Sequence, residues 1–150
     1  MILHYLLVVC LRVMLWLEED KMSTIVIDKI KLKNLSILNK TRKYNLGEKY
    51  FGDDQGNVYK VTNEKDTYTQ ISPYVNRDGY VEYVLTNLDG KKKHIMGHII
   101  CATLWIPNPL KKPEVNHNDG NRSNNKKSNL TWSTHAENVQ HSYDELRGKK

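Results

Sequence analysis

The stretch VNHNDGNRSNNKKSNLTWSTHAEN, residues 115–138, gathers neutral amides, two histidines and several cations, with no cysteine and hardly a carboxylate. That set has chemistry open to it. An imidazole with an ordinary pKa of about 6.5 can accept a proton near neutral pH. Amide oxygens, completed by water and phosphate oxygens, suit a hard cation such as Mg²⁺, which keeps its waters and takes few protein ligands. A long solvated loop would have a similar composition, because amides, Gly and Ser favour turns, so the flanking residues must decide between the two.

The flanks are ordered. Thr134-His135-Ala136-Glu137 matches a capping box, in which the threonine hydroxyl caps a helix and the glutamate reaches back. Asn138 then falls in the first turn of a helix running to about Leu146, and His141 lies one turn on, on nearly the same face. At the other end Glu114 to His117 reads as a short strand entering the turn Asn118-Asp119-Gly120. The loop crosses Arg122 to Lys127 and closes through Asn129-Leu130-Thr131-Trp132, where Leu130 and Trp132 supply apolar anchors. In this strand, long turn, strand, helix pattern the helix start packs on the hairpin. Asn116 and Asn138 then approach closely enough to share one ion, and His117, next along its strand, points to the opposite side of the backbone.

Upstream elements must carry this unit. Tyr50-Phe51, the turn Asp53 to Asn57 and Val58 to Val61 read as a β-hairpin. A second hairpin follows the turn at Asp78-Gly79: Tyr80 to Thr86 puts Val81, Tyr83 and Leu85 on one face, Asn87 to Gly90 turns the chain, and Lys91 to Met96 returns. His98 to Ile106 is helical, with Ile100 and Leu104 sharing a face, and Pro107 and Pro109 end it. Ile25 to Leu38 fits a strand or a poor helix. The expected fold class is α+β, small N-terminal β-hairpins followed by a ββα core. Residues 22–96 form a β-rich region and 97–150 the core.

The chain carries a formal charge of +6 and a pI near 9.2, which favours a polyanionic partner, nucleic acid before membrane. Its two cysteines, Cys10 and Cys101, suggest neither a disulfide framework nor a structural zinc site. The apolar opening MILHYLLVVCLRVMLWL has Arg12 within it and acidic residues after it, and is short of the ~20 clean residues of a membrane span. Residues 1–21 are therefore expected to be a leader outside the fold, with Met22 a second plausible start and an interfacial anchor the minority reading.

Residues 115–138 resemble the HNH endonucleases, specifically the phage and intron-associated homing type. Their ββα-metal (His-Me finger) core has the form V-[DN]-H-x-D-G-N-x-x-N-N-x-x-x-N-L-x-W-x-T-x-x-E-N. Asn116, His117, Asp119, Gly120, Asn121, Asn124, Asn125, Asn129, Leu130, Trp132, Thr134, Glu137 and Asn138 stand at its fixed positions. Upstream, GHIICATLWIPNP resembles the segment that precedes the motif in that family, with Ile99 where the family has arginine. The likeness spans about residues 47–143. It implies His117 as general base, Asn129 as the central asparagine that braces the hairpin and orients the base, and Asn116 and Asn138 as ligands of Mg²⁺ or Mn²⁺. His141 is a further metal or phosphate contact to weigh against a surface role. His98, at a family histidine position, is expected to pack.

The activity so implied is metal-dependent hydrolysis of a phosphodiester in double-stranded DNA by a monomer or homodimer, in the cytoplasm of a bacterial host if the gene is a phage's, with no stable membrane association. Backbone contacts are expected from Arg122, Lys126 and Lys127 in the loop, from Lys111 and Lys112 before it, and from Lys91, Lys92 and Lys93 on the hairpin, although a charged edge strand also serves simply to block aggregation. Sequence recognition would fall to the hairpins between Tyr50 and Met96. The rival is a DNA-binding protein that keeps the ββα shape without catalysis.

Overall fold

The computed structural model describes residues 24–25, 31–63 and 67–147. The expected leader, residues 1–21, lies outside them. Three antiparallel sheets surround one central helix. The first has five strands in the order β1-β5-β4-β3-β2, formed by β1 (Thr24–Ile25), β2 (Lys33–Asn34), β3 (Tyr50–Gly52), β4 (Val58–Asn63) and β5 (Thr67–Gln70). The second orders β6 (Tyr74–Val75), β7 (Val81–Thr86) and β8 (Lys92–Met96) side by side, and the third pairs β9 (Glu114–His117) with β10 (Leu130–Ser133). Helices α1 (Ile37–Arg42), α2 (Gly97–Trp105) and α3 (His135–Arg147) complete the fold.

Both expected hairpins form. In β7 and β8, Tyr83 pairs with Ile95 and Leu85 with Lys93; Tyr83 and Leu85 are buried on the face the alternation assigned to them, with Val81 half-buried, and Ile95 is buried opposite Tyr83. The stretch read as strand or poor helix divides: β2 is followed at once by α1, which ends where Lys43 takes a left-handed conformation (φ 53°). Strands β5 and β6 were not legible, being short and polar enough to carry no clear alternation.

The turns share one device. At successive turns an Asp or Asn accepts hydrogen bonds from backbone N–H groups two or four residues on, holding the corner without apolar contact. Asp53 Oδ1 accepts from Gln55 and Asn57, Asn76 Oδ1 from Asp78 and Tyr80, and Asn87 Oδ1 from Lys91. Asp53 is itself buried, and its second oxygen accepts from Asn57 Nδ2 and the Tyr59 hydroxyl at 2.9 Å each. That carboxylate raises the Tyr59 phenol, after burial, well above its ordinary pKa.

Helix α2 runs straight out of β8 and faces two cores. Ile100 and Leu104 enter a cluster with Leu35, Leu38, Val58 and Tyr83, while Cys101 and Ala102 pack on the other side with Val115 and Leu130. Each fully buried aliphatic side chain contributes about 1.5–3 kcal/mol. The larger cluster draws on both the β-rich region and α2, so the β9–β10 hairpin is seated on a helix that the N-terminal sheets hold in place. No helix among the described residues is long and apolar enough to cross a membrane.

Candidate active site

The β9–β10 register pairs His117 with Leu130 and Asn116 with Thr131. Strand alternation then buries Val115 and His117 and leaves Asn116 half-exposed on the other side. Helix α3 begins with the capping box the sequence announced: Thr134 N donates to Glu137 Oε2 at 2.7 Å, and Glu137 N donates to Thr134 Oγ1 at 3.3 Å. Lys112 also binds that carboxylate, at 2.7 and 2.8 Å. The lysine first, and the Thr134 amide second, hold the Glu137 carboxyl down at about 2.

Strand, loop and helix together line one cleft of about 230 Å³. Asn116, His117, Arg122, Asn138 and His141 all face it, with Tyr80 from the turn before β7. Asn138 is held from behind, since its Nδ2 donates to Glu114 Oε2 at 2.7 Å while Glu114 Oε1 lies 2.9 Å from His135 Nδ1. Those two partners, Asn138 first, keep the Glu114 carboxyl below its ordinary range. With the amide nitrogen so engaged, the Asn138 oxygen is the end left to accept a ligand. Among the described residues no three His, Cys, Asp or Glu side chains are placed to share an ion. Among the side chains lining this cleft, Asn116 and Asn138 carry amide oxygens and Ser142 a hydroxyl, a sparse, hard set that fits Mg²⁺ or Mn²⁺ with most of its water retained.

Asn129, buried in the loop, ties it at three points. Its Nδ2 donates to Asp119 Oδ1 at 2.8 Å and to the Asn124 carbonyl at 2.9 Å, and its Oδ1 accepts from the Asp119 amide at 3.1 Å. Asp119 is thus more than a turn former: bonds from Asn124 and then Asn129 hold its carboxyl below the ordinary value. Asn129 braces the hairpin, but the side chain within hydrogen-bond reach of the imidazole is Asn125, whose Oδ1 lies 3.0 Å from His117 Nε2.

Two aromatic neighbours enclose the imidazole. The His98 ring lies edge-on to it at 5.1 Å, and Tyr80 tilts over both at 6.1 Å from His117 and 5.2 Å from His98. His98 is buried, with no partner for its Nδ1. Burial chiefly, then the positive charge of His117 when protonated and of Arg42, pushes it down to about 4. It therefore stays neutral beside the candidate base.

The cations divide. Arg122 reaches the cleft, its guanidinium 5.0 Å from the Tyr80 ring and Nη1 bound to the Asp78 carbonyl at 2.9 Å. Lys126 is exposed on the loop, while Lys127 Nζ sits 6.0 Å from the Trp105 ring, turned toward α2. Lys111 and Lys112 border a different and larger cleft of about 930 Å³ with Arg42 and Trp132. Glu137 draws Lys112 to the start of α3. Lys91 and Lys92 are exposed and Lys93 half-buried on the second hairpin. Glu114 and Asn125 were not singled out for the site by sequence: the only sign of either was its place within or beside the motif, and their partners are set by folding.

Residues 107–140 match the family model for HNH endonucleases. Two uncharacterised HNH endonucleases of Acanthamoeba polyphaga mimivirus are 36% identical over 101 residues and 31% identical over 93, covering 65% and 59% of this chain. The chain spans only about a quarter of the length of either relative, 24% and 28%. A solved structure of DNA binding and cleavage by the HNH homing endonuclease I-HmuI superposes with a TM-score of 0.62 at 26% identity, covering 81% of this chain and 61% of that one.

Proposed function

Because the chain carries an HNH endonuclease module on a homing-endonuclease-like fold, we propose that it is a metal-dependent DNA endonuclease with His117 as its general base. The observation that carries this is the single cleft lined by His117 and Asn116 of β9, Asn138 of α3 and Arg122 of the loop. His117 takes a proton from water, and the water attacks phosphorus in line with the leaving 3′ oxygen. Arg122, anchored at Asp78 and over Tyr80, faces the backbone phosphates. Asn116 and Asn138 would hold the divalent cation, which supplies charge stabilisation at the phosphoryl group and the leaving oxygen. The amide at 116 brings no charge, so the ion binds more weakly here than where an aspartate stands.

The imidazole has an uncharged neighbour in His98. His98, neutral down to about pH 4, adds no positive charge that would oppose protonation of His117. One cleft of this kind cuts one strand, so a monomer nicks and a homodimer can cut both. The curated relatives are viral, which supports a viral source without specifying a phage or a bacterial host.

The test is relaxation of supercoiled plasmid with Mg²⁺, wild type against His117→Ala. A positioned base contributes ~10²–10⁴-fold in rate, so the variant should lose activity by that factor while still binding DNA. Equal nicking by both proteins removes His117 from the role, and nicking by neither favours a DNA-binding protein without catalysis.

A further inference from the structure

The buried amide that meets His117 has no part in the reaction as derived above. We propose that Asn125 is a positioning residue for the imidazole, fixing it in the tautomer protonated at Nε2, and that a socket formed by Gly56 and Gly97 holds Asn125 in place. The proposal deepens the endonuclease reading and rests on His117 being the base.

Asn125 is only 5% exposed, and His117 likewise. An amide oxygen accepts and cannot donate, so Oδ1 at 3.0 Å from Nε2 requires the hydrogen on Nε2 and leaves Nδ1 with its lone pair. The opposite amide orientation would donate to Nε2 and place the proton on Nδ1, the wrong state for a base using that nitrogen. Asn125 thereby selects which nitrogen accepts a proton from water.

The socket is tight on two sides. A Cβ built on Gly97, the first residue of α2, would fall 2.4 Å from Asn125 Nδ2. One built on Gly56, which also has a positive φ of 88°, would fall 2.7 Å from Asn125 Cβ and 2.8 Å from its carbonyl oxygen. Neither site admits a side chain without moving Asn125. The turn bearing Gly56 is clamped in its own right: the Tyr83 hydroxyl donates to the Gly56 carbonyl at 2.9 Å, and Lys127 N donates to the Asp54 carbonyl at 2.8 Å. The base therefore takes its orientation from the β3–β4 turn of the N-terminal sheet, more than 60 residues earlier in sequence, as well as from its own hairpin.

The experiment labels histidine with ¹⁵N in the full chain and reads the His117 tautomer from long-range ¹H–¹⁵N correlations, assigning its signals by their loss in His117→Gln. In parallel, kcat and KM for plasmid nicking are measured for Asn125→Leu, Asn125→Asp and Gly97→Ala. Wild type should show the Nε2–H form. Asn125→Leu should lose that bias and lower kcat by ~10²-fold, the effect of a small misplacement of a reacting group, with KM little changed. Asn125→Asp, which keeps an acceptor, should restore the tautomer and most of the lost kcat. Gly97→Ala should reproduce the Leu phenotype with Asn125 intact, and so stands in should Asn125→Leu not fold. An Nδ1–H tautomer in wild type, or an unchanged tautomer and kcat in both Asn125→Leu and Gly97→Ala, overturns the proposal. Absence of nicking by wild type would remove the endonuclease reading alone, since the tautomer measurement still decides whether Asn125 sets the imidazole.

Discussion

The N-terminal sheets and the β9–β10–α3 unit are held together by different means. The former, with α2, close over a cluster of buried aliphatic and aromatic side chains, among them Leu35, Leu38, Val58, Tyr83 and Leu85. The latter buries few apolar side chains beyond Val115 and Leu130, and its shape comes from amide and carboxylate bonds to backbone and to one another. An apolar core is tolerant of exchange among side chains of similar volume. A polar mesh is not, because removing one partner strands another. The cleft proposed as the active site is built on the second principle and seated on a scaffold built on the first.

That contrast can be broken or sharpened by substitution. The largest effect on stability is expected in the scaffold: Leu38→Ala, at a fully buried position, should lower the unfolding free energy by about 2–5 kcal/mol in urea titration, while protein still folded nicks at the wild-type rate. Next comes a pH effect at the junction of the two regions. The unfolded chain protonates His98 near its ordinary value of 6.5 and the folded chain only at about 4. Stability should accordingly be full above the upper value, decline on acidification across that window by up to about 3 kcal/mol, and level off below it. His98→Phe should flatten that part of the urea-midpoint-against-pH curve. In the mesh, Asn129→Ala should cost about 1–3 kcal/mol by leaving Asp119 and the Asn124 carbonyl short of partners, and unlike Leu38→Ala it should reduce nicking by the protein that remains folded.

Smaller effects follow at the edges. Thr134→Ala removes the capping hydroxyl of α3 and should cost ~1 kcal/mol in thermal unfolding. The least is expected from Arg122→Ala, which should leave the fold intact and reduce the slope of log affinity against log salt on duplex DNA by about 0.9, one phosphate contact. The same change at Lys112 should leave that slope alone, since Glu137 holds its ammonium.

What was legible in the sequence follows the same division. The capping box, the turn at Asn118 to Gly120 and the alternation in β7 are local patterns, so α3, the β9 exit and the second hairpin could be read directly. Asn116 and Asn138 were expected to approach one another because a strand and a helix start closing on one another leave little freedom, and both line the His117 cleft. The partners of Asn125 and Glu114 could not be read, because each depends on which of many amides the packing of α2 and α3 brings near. The surroundings of Lys112 were not legible for a related reason. Lys112 lies close to the motif in sequence, yet in the fold it binds Glu137 at the start of α3 and borders the larger cleft. Strands β2 and β6 are two residues each and carry no period to detect.

The convergence of two amides beside one imidazole is tested most directly by soaking crystals of the protein in Mn²⁺ and locating the metal from its anomalous signal. A single peak within ~2.2 Å of Oδ1 of both Asn116 and Asn138, with the His117 ring adjacent and uncoordinated, is the predicted result. A peak bound to His117 or His141 without Asn138, or no peak in the cleft at saturating Mn²⁺, would contradict it.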